Sequence, residues 1–195
     1  MTGTSRPPYD AVVLAGGSAR RLGGVDKPAL LVGGMSMLDR VLTAVADAVR
    51  VIVVGPERPT RSPVSWVRED PPGGGPVAAL AAGLAEVRAG WVALLAADLP
   101  FLDTATVGRL RQAAPGGDGA LLVDDDGRDQ VLLGVWRTAA LRAGLPADPS
   151  GARLAVVLQG LRTVRLPVGA GTAWYDVDTE RDLVRARRQA DGGVR

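Results

Sequence analysis

The chain has 195 residues, 47% of them apolar, and 23 Lys and Arg stand against 21 Asp and Glu, a surplus too small to mark a nucleic-acid binder. It contains neither cysteine nor histidine. That excludes disulfides, thiolate zinc sites, imidazole bases and Ser-His-Asp triads, so any metal must be held by oxygen, as magnesium and manganese are.

No apolar run approaches the ~20 residues of a membrane span, and Thr2–Asp10 lacks the apolar middle of a signal peptide. A cytoplasmic protein with a single domain over 1–195 is expected, with frayed ends at 1–9 and 192–195. Ala11–Leu14 reads as a short buried strand and 15–28 as a loop, followed by an extended piece over 29–32 closed by Gly33-Gly34. Leu38, Val41, Leu42 and Val45 recur at helical spacing and predict a helix over 37–49, with Ser36 as its N-cap. The β-branched run 51–54 is a second strand and 65–67 a third. The proline- and glycine-rich stretch 71–76 is a loop, with Pro76 opening a helix to about Val87. Trp91–Ala96 is a fourth strand, and Asp103 or Thr104 caps a helix to about Ala113. Strands at 120–123 and 131–136 meet across an acidic turn. Short helices follow near 139–143 and 153–159, then strands near 163–166 and 175–177, and Thr179 opens a last helix through Asp191.

Strands alternating with helices predict an α/β protein with a mostly parallel sheet covered on both faces. Ligands of such sheets lie beyond the carboxyl ends of the strands. The loops expected there carry Gly16, Asp70, Asp98 and Asp178.

The most informative stretch is 12–28. Gly16 and Gly17 follow directly on the first strand, where the absence of side chains lets a ligand approach main-chain N–H groups. Arg20, Arg21 and Lys27 follow, interrupted by Gly23 and Gly24. A dinucleotide fingerprint fails because Ser18 stands where its second glycine belongs. A P-loop fails because Leu22 lies five residues after Gly17 and Pro28 follows Lys27. What remains, Leu14-Ala15-Gly16-Gly17-x-x-x-Arg21-x-Gly23 and then Lys27, resembles the signature of nucleotidyltransferases related to the molybdenum cofactor guanylyltransferases. Asp98-Leu99-Pro100, Gly75-Pro76 and Asp178-Thr179 extend the resemblance. Glu180 stands where the family usually has proline, and Gly55 where an asparagine is expected.

The resemblance implies a three-layer Rossmann-like nucleotidyltransferase fold and transfer of GMP from GTP to the terminal phosphate of molybdopterin, with release of pyrophosphate. It implies Arg21, Lys27 and Asp98 as catalytic residues. Leu14, Ala15, Gly16, Gly17, Lys27, Asp70, Gly75 and Asp98 would hold the nucleotide, and Asp98 and Asp178 an Mg²⁺ or Mn²⁺ ion. A pterin-delivering protein would be a transient partner, with no nucleic acid or membrane involved. The same parts would serve cytidylyl or guanylyl transfer to another small phosphorylated acceptor, or a non-catalytic nucleotide-binding domain. Each acid also has a plainer reading: Asp98 as a turn or helix N-cap carboxylate, Asp178 as the N-cap of the last helix, with Asp176 beside it on the same face. Arg128 and Gln130 could meet the acceptor, whereas 124–127 reads better as an exposed turn.

Overall fold

Tyr9–Leu14 (β1) alternates its side chains between two hydrophobic layers: Ala11 and Val13 face one, Val12 the other. The structure, a computed structural model, describes residues 7–16, 25–169 and 172–192. Val51–Val54 (β4) and Trp91–Ala96 (β6) split in the same way, with Val53, Ala93 and Leu95 on one side and Ile52, Val54, Val92 and Leu94 on the other. Strands buried on both faces read as unbroken apolar runs, which explains why these three are evident in the sequence.

Two short strands, Leu31–Val32 (β2) and Met35–Ser36 (β3), form an antiparallel hairpin separate from the main sheet. Its turn is Gly33-Gly34, both at positive φ, as a two-residue hairpin requires. The main sheet is completed by Ser65–Val67 (β5), Gly119–Val123 (β7), Asp129–Arg137 (β8) and Thr163–Pro167 (β9), in the order β5-β4-β1-β6-β8-β7-β9. All are parallel except β8, which is antiparallel to both of its neighbours.

Met37–Ala44 (α1) and Thr104–Ala113 (α3) cover one face through Leu38, Val41, Leu42, Val107 and Leu110. The other face is covered by Pro76–Glu86 (α2), Thr138–Gly144 (α4) and Leu154–Leu158 (α5) through Val77, Leu80, Leu84, Leu141 and Val157. Helix α2 lies so close to β1 that a Cβ on Gly83 would come within 2.6 Å of Val12 Cγ1. The last helix, Glu180–Gly192 (α6), belongs to neither layer. It builds a third cluster from Leu183, Ala186 and Val177 against Val32 and Met37, with Phe101 and Tyr175 packed on it. Among the described residues, no helix is long and apolar enough to cross a membrane.

Three expectations are corrected. Fraying does not extend to residue 9: Tyr9 is buried inside β1, its hydroxyl bonds to Asp47, and Arg111 reaches the carbonyl of Pro7. Residues 1–6 and 193–195 lie outside the described residues. The first helix ends at Ala44 rather than Val49, because the Val49 N–H is drawn to Tyr9 O (2.9 Å) and Asp47 turns toward Tyr9 and Arg111. Residues 175–177 form no strand; the Val177 side chain is consumed by the α6 cluster, and its N–H meets Asp98 O at 3.3 Å.

Candidate active site

At the carboxyl end of β6 the buried strand gives way to Asp98, whose carboxylate receives the Lys27 ammonium. The same ammonium donates to Asp178 Oδ1 at 2.8 Å. Three residues separated by up to 151 positions therefore meet at one nitrogen. Lys27 and Asp98 are largely withdrawn from water, with side chains 16% and 21% exposed, whereas Asp178 is 54% exposed. Burial alone would lower the Lys27 pKa, but the charges and hydrogen bonds of Asp98 and Asp178 outweigh it and raise it, so the lysine is a fixed cation. Asp176 shares this negative field: withdrawal from solvent, then the charges of Asp178 and Asp98, push its carboxyl upward.

Each residue is delivered by a different local device. Lys27 opens a single 3-10 turn, Lys27–Ala29, with Pro28 supplying a preset φ and Leu30 N–H closing on Lys27 O at 3.1 Å. That turn leads into the β2–β3 hairpin. Asp178 precedes α6, and both the hairpin and α6 are anchored in the third cluster, so this small core presses Lys27 and Asp178 toward β6. Arg187 reinforces the contact by donating to Leu31 O at 3.0 Å.

The helix N-cap readings of both acids fail on local geometry. Helix α3 is capped by Asp103, whose Oδ1 accepts from Thr106 N–H at 2.8 Å, leaving Asp98 out of that role. Helix α6 is capped by Thr179 and Asp182 in a reciprocal box: Asp182 N–H donates to Thr179 Oγ1 (3.2 Å), and Thr179 N–H to Asp182 Oδ2 (2.8 Å). Asp178 is thereby free to turn toward Lys27.

Leu14, Ala15 and Gly16 lie at the end of β1, on the same rim as Asp98; Ala97 N–H bonds back to Leu14 O and Ala15 N–H to Val54 O. Gly17, Arg20 and Arg21 lie outside the described residues. Gly55 explains its own departure from the expected asparagine. At φ +147° it packs on Ala15 and Gly16 at the end of β1, and a Cβ there would stand 2.8 Å from Ala15 C and O. Gly75 sits at the N-terminus of α2 with φ 91°, and Gly151 N–H ties down the neighbouring Gly74 carbonyl at 2.8 Å. Asp70 is exposed in the loop after β5. Its neighbour Glu69 is the acid that turns inward: Oε1 accepts from Gly73 N–H at 3.2 Å and would lie 4.0 Å from a Cβ on Gly16. In the β7–β8 turn, Asp124 gathers the Asp126 and Arg128 amides and the Gln130 side chain, so Gln130 is committed to the turn and Arg128 points to solvent.

Sequence reasoning overlooked Arg58. It lies in a polar loop with no motif, yet its side chain is only 9% exposed. Its guanidinium grips Asp26 through two oxygens (3.0 and 2.9 Å) and donates to Ala15 O at 3.3 Å. A cleft of about 400 Å³ opens beside it, lined by Gly55, Pro56, Glu57, Trp66, Val67 and Arg68. A wider cleft of about 720 Å³ lies at the opposite, amino ends of β4 and β5. Arg50 is the single charged side chain in that lining, so it lacks the chemistry found at Asp98.

The residues present suit a hard divalent cation. Asp98 Oδ1 is buried without a hydrogen-bond partner among the described residues, beside an oxygen already engaged with Lys27. Among the described residues no three acids gather into a closed cage. Two carboxylates meeting at an open rim are what magnesium takes when substrate phosphates and water complete its octahedron.

Residues 11–164 match the family described as the MobA-like NTP transferase domain. The molybdenum cofactor guanylyltransferase of Bradyrhizobium sp. (strain ORS 278) is 32% identical, covering 97% of each chain. Among solved structures, a nucleotidyl transferase from Methanothermobacter thermautotroptrophicus superposes with a TM-score of 0.77 at 20% identity, over 95% of this chain and 99% of the other. Molybdopterin-guanine dinucleotide biosynthesis protein A from Archaeoglobus fulgidus gives 0.73 at 20% identity, over 94% and 99%. The expected Rossmann-like nucleotidyltransferase fold is thus borne out, and the chain belongs to the MobA-like NTP transferase family, a family of nucleotidyl-transferring enzymes.

Proposed function

We propose that this enzyme transfers GMP from GTP to the terminal phosphate of a molybdopterin-type acceptor. One observation carries the reading: in a member of this family, a fixed cation and two carboxylates from three distant segments converge beyond the carboxyl ends of a parallel sheet. An acceptor phosphate oxygen attacks the α-phosphorus, the bond from that phosphorus to the α–β bridging oxygen breaks, and the electron pair leaves with pyrophosphate. A phosphomonoester has its second pKa near 6 and is already mostly a dianion at neutral pH, so a site without histidine needs no general base.

The protein's share is positioning and charge compensation. Lys27 holds a phosphate oxygen of the nucleotide, and the Gly16 turn offers its amide at the end of β1. The α2 N-terminus at Gly75 adds a partial positive charge. Asp70 borders the nucleoside side. Arg21 adds a further cation by virtue of the motif. Asp98 and Asp178 would hold Mg²⁺ or Mn²⁺, which when bound neutralises phosphate charge and withdraws electrons from the reacting phosphorus. Because Gly55 leaves no room for a side chain against Ala15, the base contact expected from asparagine there falls to main chain.

The test is pyrophosphate release from GTP, CTP, ATP and UTP, each with and without molybdopterin. Release that requires both GTP and molybdopterin is expected. Release from CTP instead, or equal release without the acceptor, would overturn the guanylyl reading.

A further inference from the structure

Lys27 makes its described ion pairs with Asp98 and Asp178, the two groups it must share with a charged nucleotide. Something else has to fix its backbone. Asp26, immediately before it, is clamped by the Arg58 fork, and its own carbonyl accepts from Ala29 N–H at 3.0 Å, closing the turn that Lys27 opens. The third nitrogen of the same guanidinium holds Ala15 O, at the end of β1, while the group lies 5.7 Å from the Trp66 ring centre.

We propose that Arg58 is a positioning residue for nucleotidyl transfer, setting where Lys27 stands relative to Ala15 and Gly16 at the end of β1. The proposal rests on the assignment of Lys27 to the triphosphate. Ala15 and Asp26 are separated by ten residues in sequence, and bringing two such points together costs chain entropy. Arg58 meets that cost on folding rather than when the nucleotide arrives. Three geometric features suit it to the task. The planar fork matches a carboxylate in two directions at once, which a lysine cannot do. Its own side chain is buried while Asp26 is half exposed, so the fork is held in place by the protein even though its partner meets water. It stands on the loop after β4, whose Gly55 already abuts Ala15, so the brace is packed directly against the rim.

The experiment is steady-state kinetics of the full chain with Mg²⁺ and whichever nucleoside triphosphate the wild type turns over. Arg58→Ala and Arg58→Lys are each combined with Lys27→Ala. KM for the nucleotide rises on the order of tenfold in Arg58→Ala, kcat changes less, and Arg58→Lys restores only part. In the Lys27→Ala background the Arg58 substitution has no further effect on KM, because its influence runs through Lys27. An unchanged KM in Arg58→Ala, full rescue by lysine, or losses that multiply in the double variant would each overturn the proposal. Should Arg58→Ala fail to fold, Asp26→Asn removes the same clamp at a half-exposed carboxylate and must reproduce the KM effect. A wild type that prefers CTP would refute the guanylyl reading while leaving this test intact; one that turns over no nucleotide would refute both.

Discussion

Replacing Lys27 by methionine keeps the length of the side chain and deletes the one cation described between Asp98 and Asp178. Both carboxylate oxygens bond to the same nitrogen, so at its tetrahedral angle they stand roughly 4 Å apart. Two unit charges at that separation repel by about 4 kcal/mol at an effective dielectric of 20 and by about 1 kcal/mol in bulk water. Asp178 is 54% exposed, which places the penalty in the lower half of that span, about 1 to 1.5 kcal/mol. For a chain of this size that is a fall of about 3 to 5 °C in Tm. The assay is thermal unfolding at pH 7 in chelator, with and without added Mg²⁺. Lys27→Met should melt lower than wild type in chelator, and millimolar Mg²⁺ should recover the loss, because the freed carboxylates then hold the ion. Adding Asp178→Asn to Lys27→Met should recover the chelator loss without metal. A Lys27→Met protein that melts with the wild type in chelator and ignores Mg²⁺ would refute both the electrostatic reasoning and the metal assignment.

Asp98→Asn should lower turnover by two orders of magnitude or more while circular dichroism stays that of wild type; appreciable activity in the folded variant would remove Asp98 from the chemistry. Gly55→Ala forces a β-carbon against Ala15 at a backbone conformation unsuited to it, for a cost of about 2 kcal/mol or more from strain and overpacking together. Urea unfolding measures that cost, and wild-type stability would show that the turn after β1 yields freely. The Asp182 carboxyl would be raised by burial, but hydrogen bonds from the Thr179 hydroxyl and main chain and from the Tyr175 hydroxyl outweigh this and hold it below its usual 3.8. A depressed native value stabilises above the unfolded pKa, and the contribution is lost as pH falls through the native value. The Tm difference between wild type and Asp182→Ala should therefore be wide at pH 7 and narrow as pH falls below 3.8; a constant difference would dissociate the cap from its charge.

Much of the architecture was legible because its causes are local. The apolar runs at 51–54 and 91–96, Pro76 at the first turn of α2, and Ser36 capping α1 through Asp39 N–H all announce themselves within a few residues. The glycine-rich stretch and Asp98-Leu99-Pro100 likewise carried the family resemblance in short range. The failures share one cause. Residues 175–177 look like a strand, with alternating polar and apolar positions, yet they pair with no strand and Val177 packs into the α6 cluster instead. The run to Val49 has helical spacing, yet β1 claims the Val49 amide. In both places tertiary partners outbid the local pattern.

The order of the amino acids by itself determined that this chain forms a mostly parallel α/β sheet, that the loops after β1 and β6 emerge at its carboxyl rim, and that any metal there must be bound by oxygen. Folding alone decided which of the many acids and arginines meet. Asp178 is left to reach Lys27 because Thr179 and Asp182 cap α6 between themselves. Arg58 acquires its place only because β4 lies beside β1 and Gly55 admits the turn. Sequence spacing reports what neighbours within a turn or two can do. Ion pairs between positions 27, 98 and 178 depend on how whole layers pack, and short-range spacing carries no trace of that.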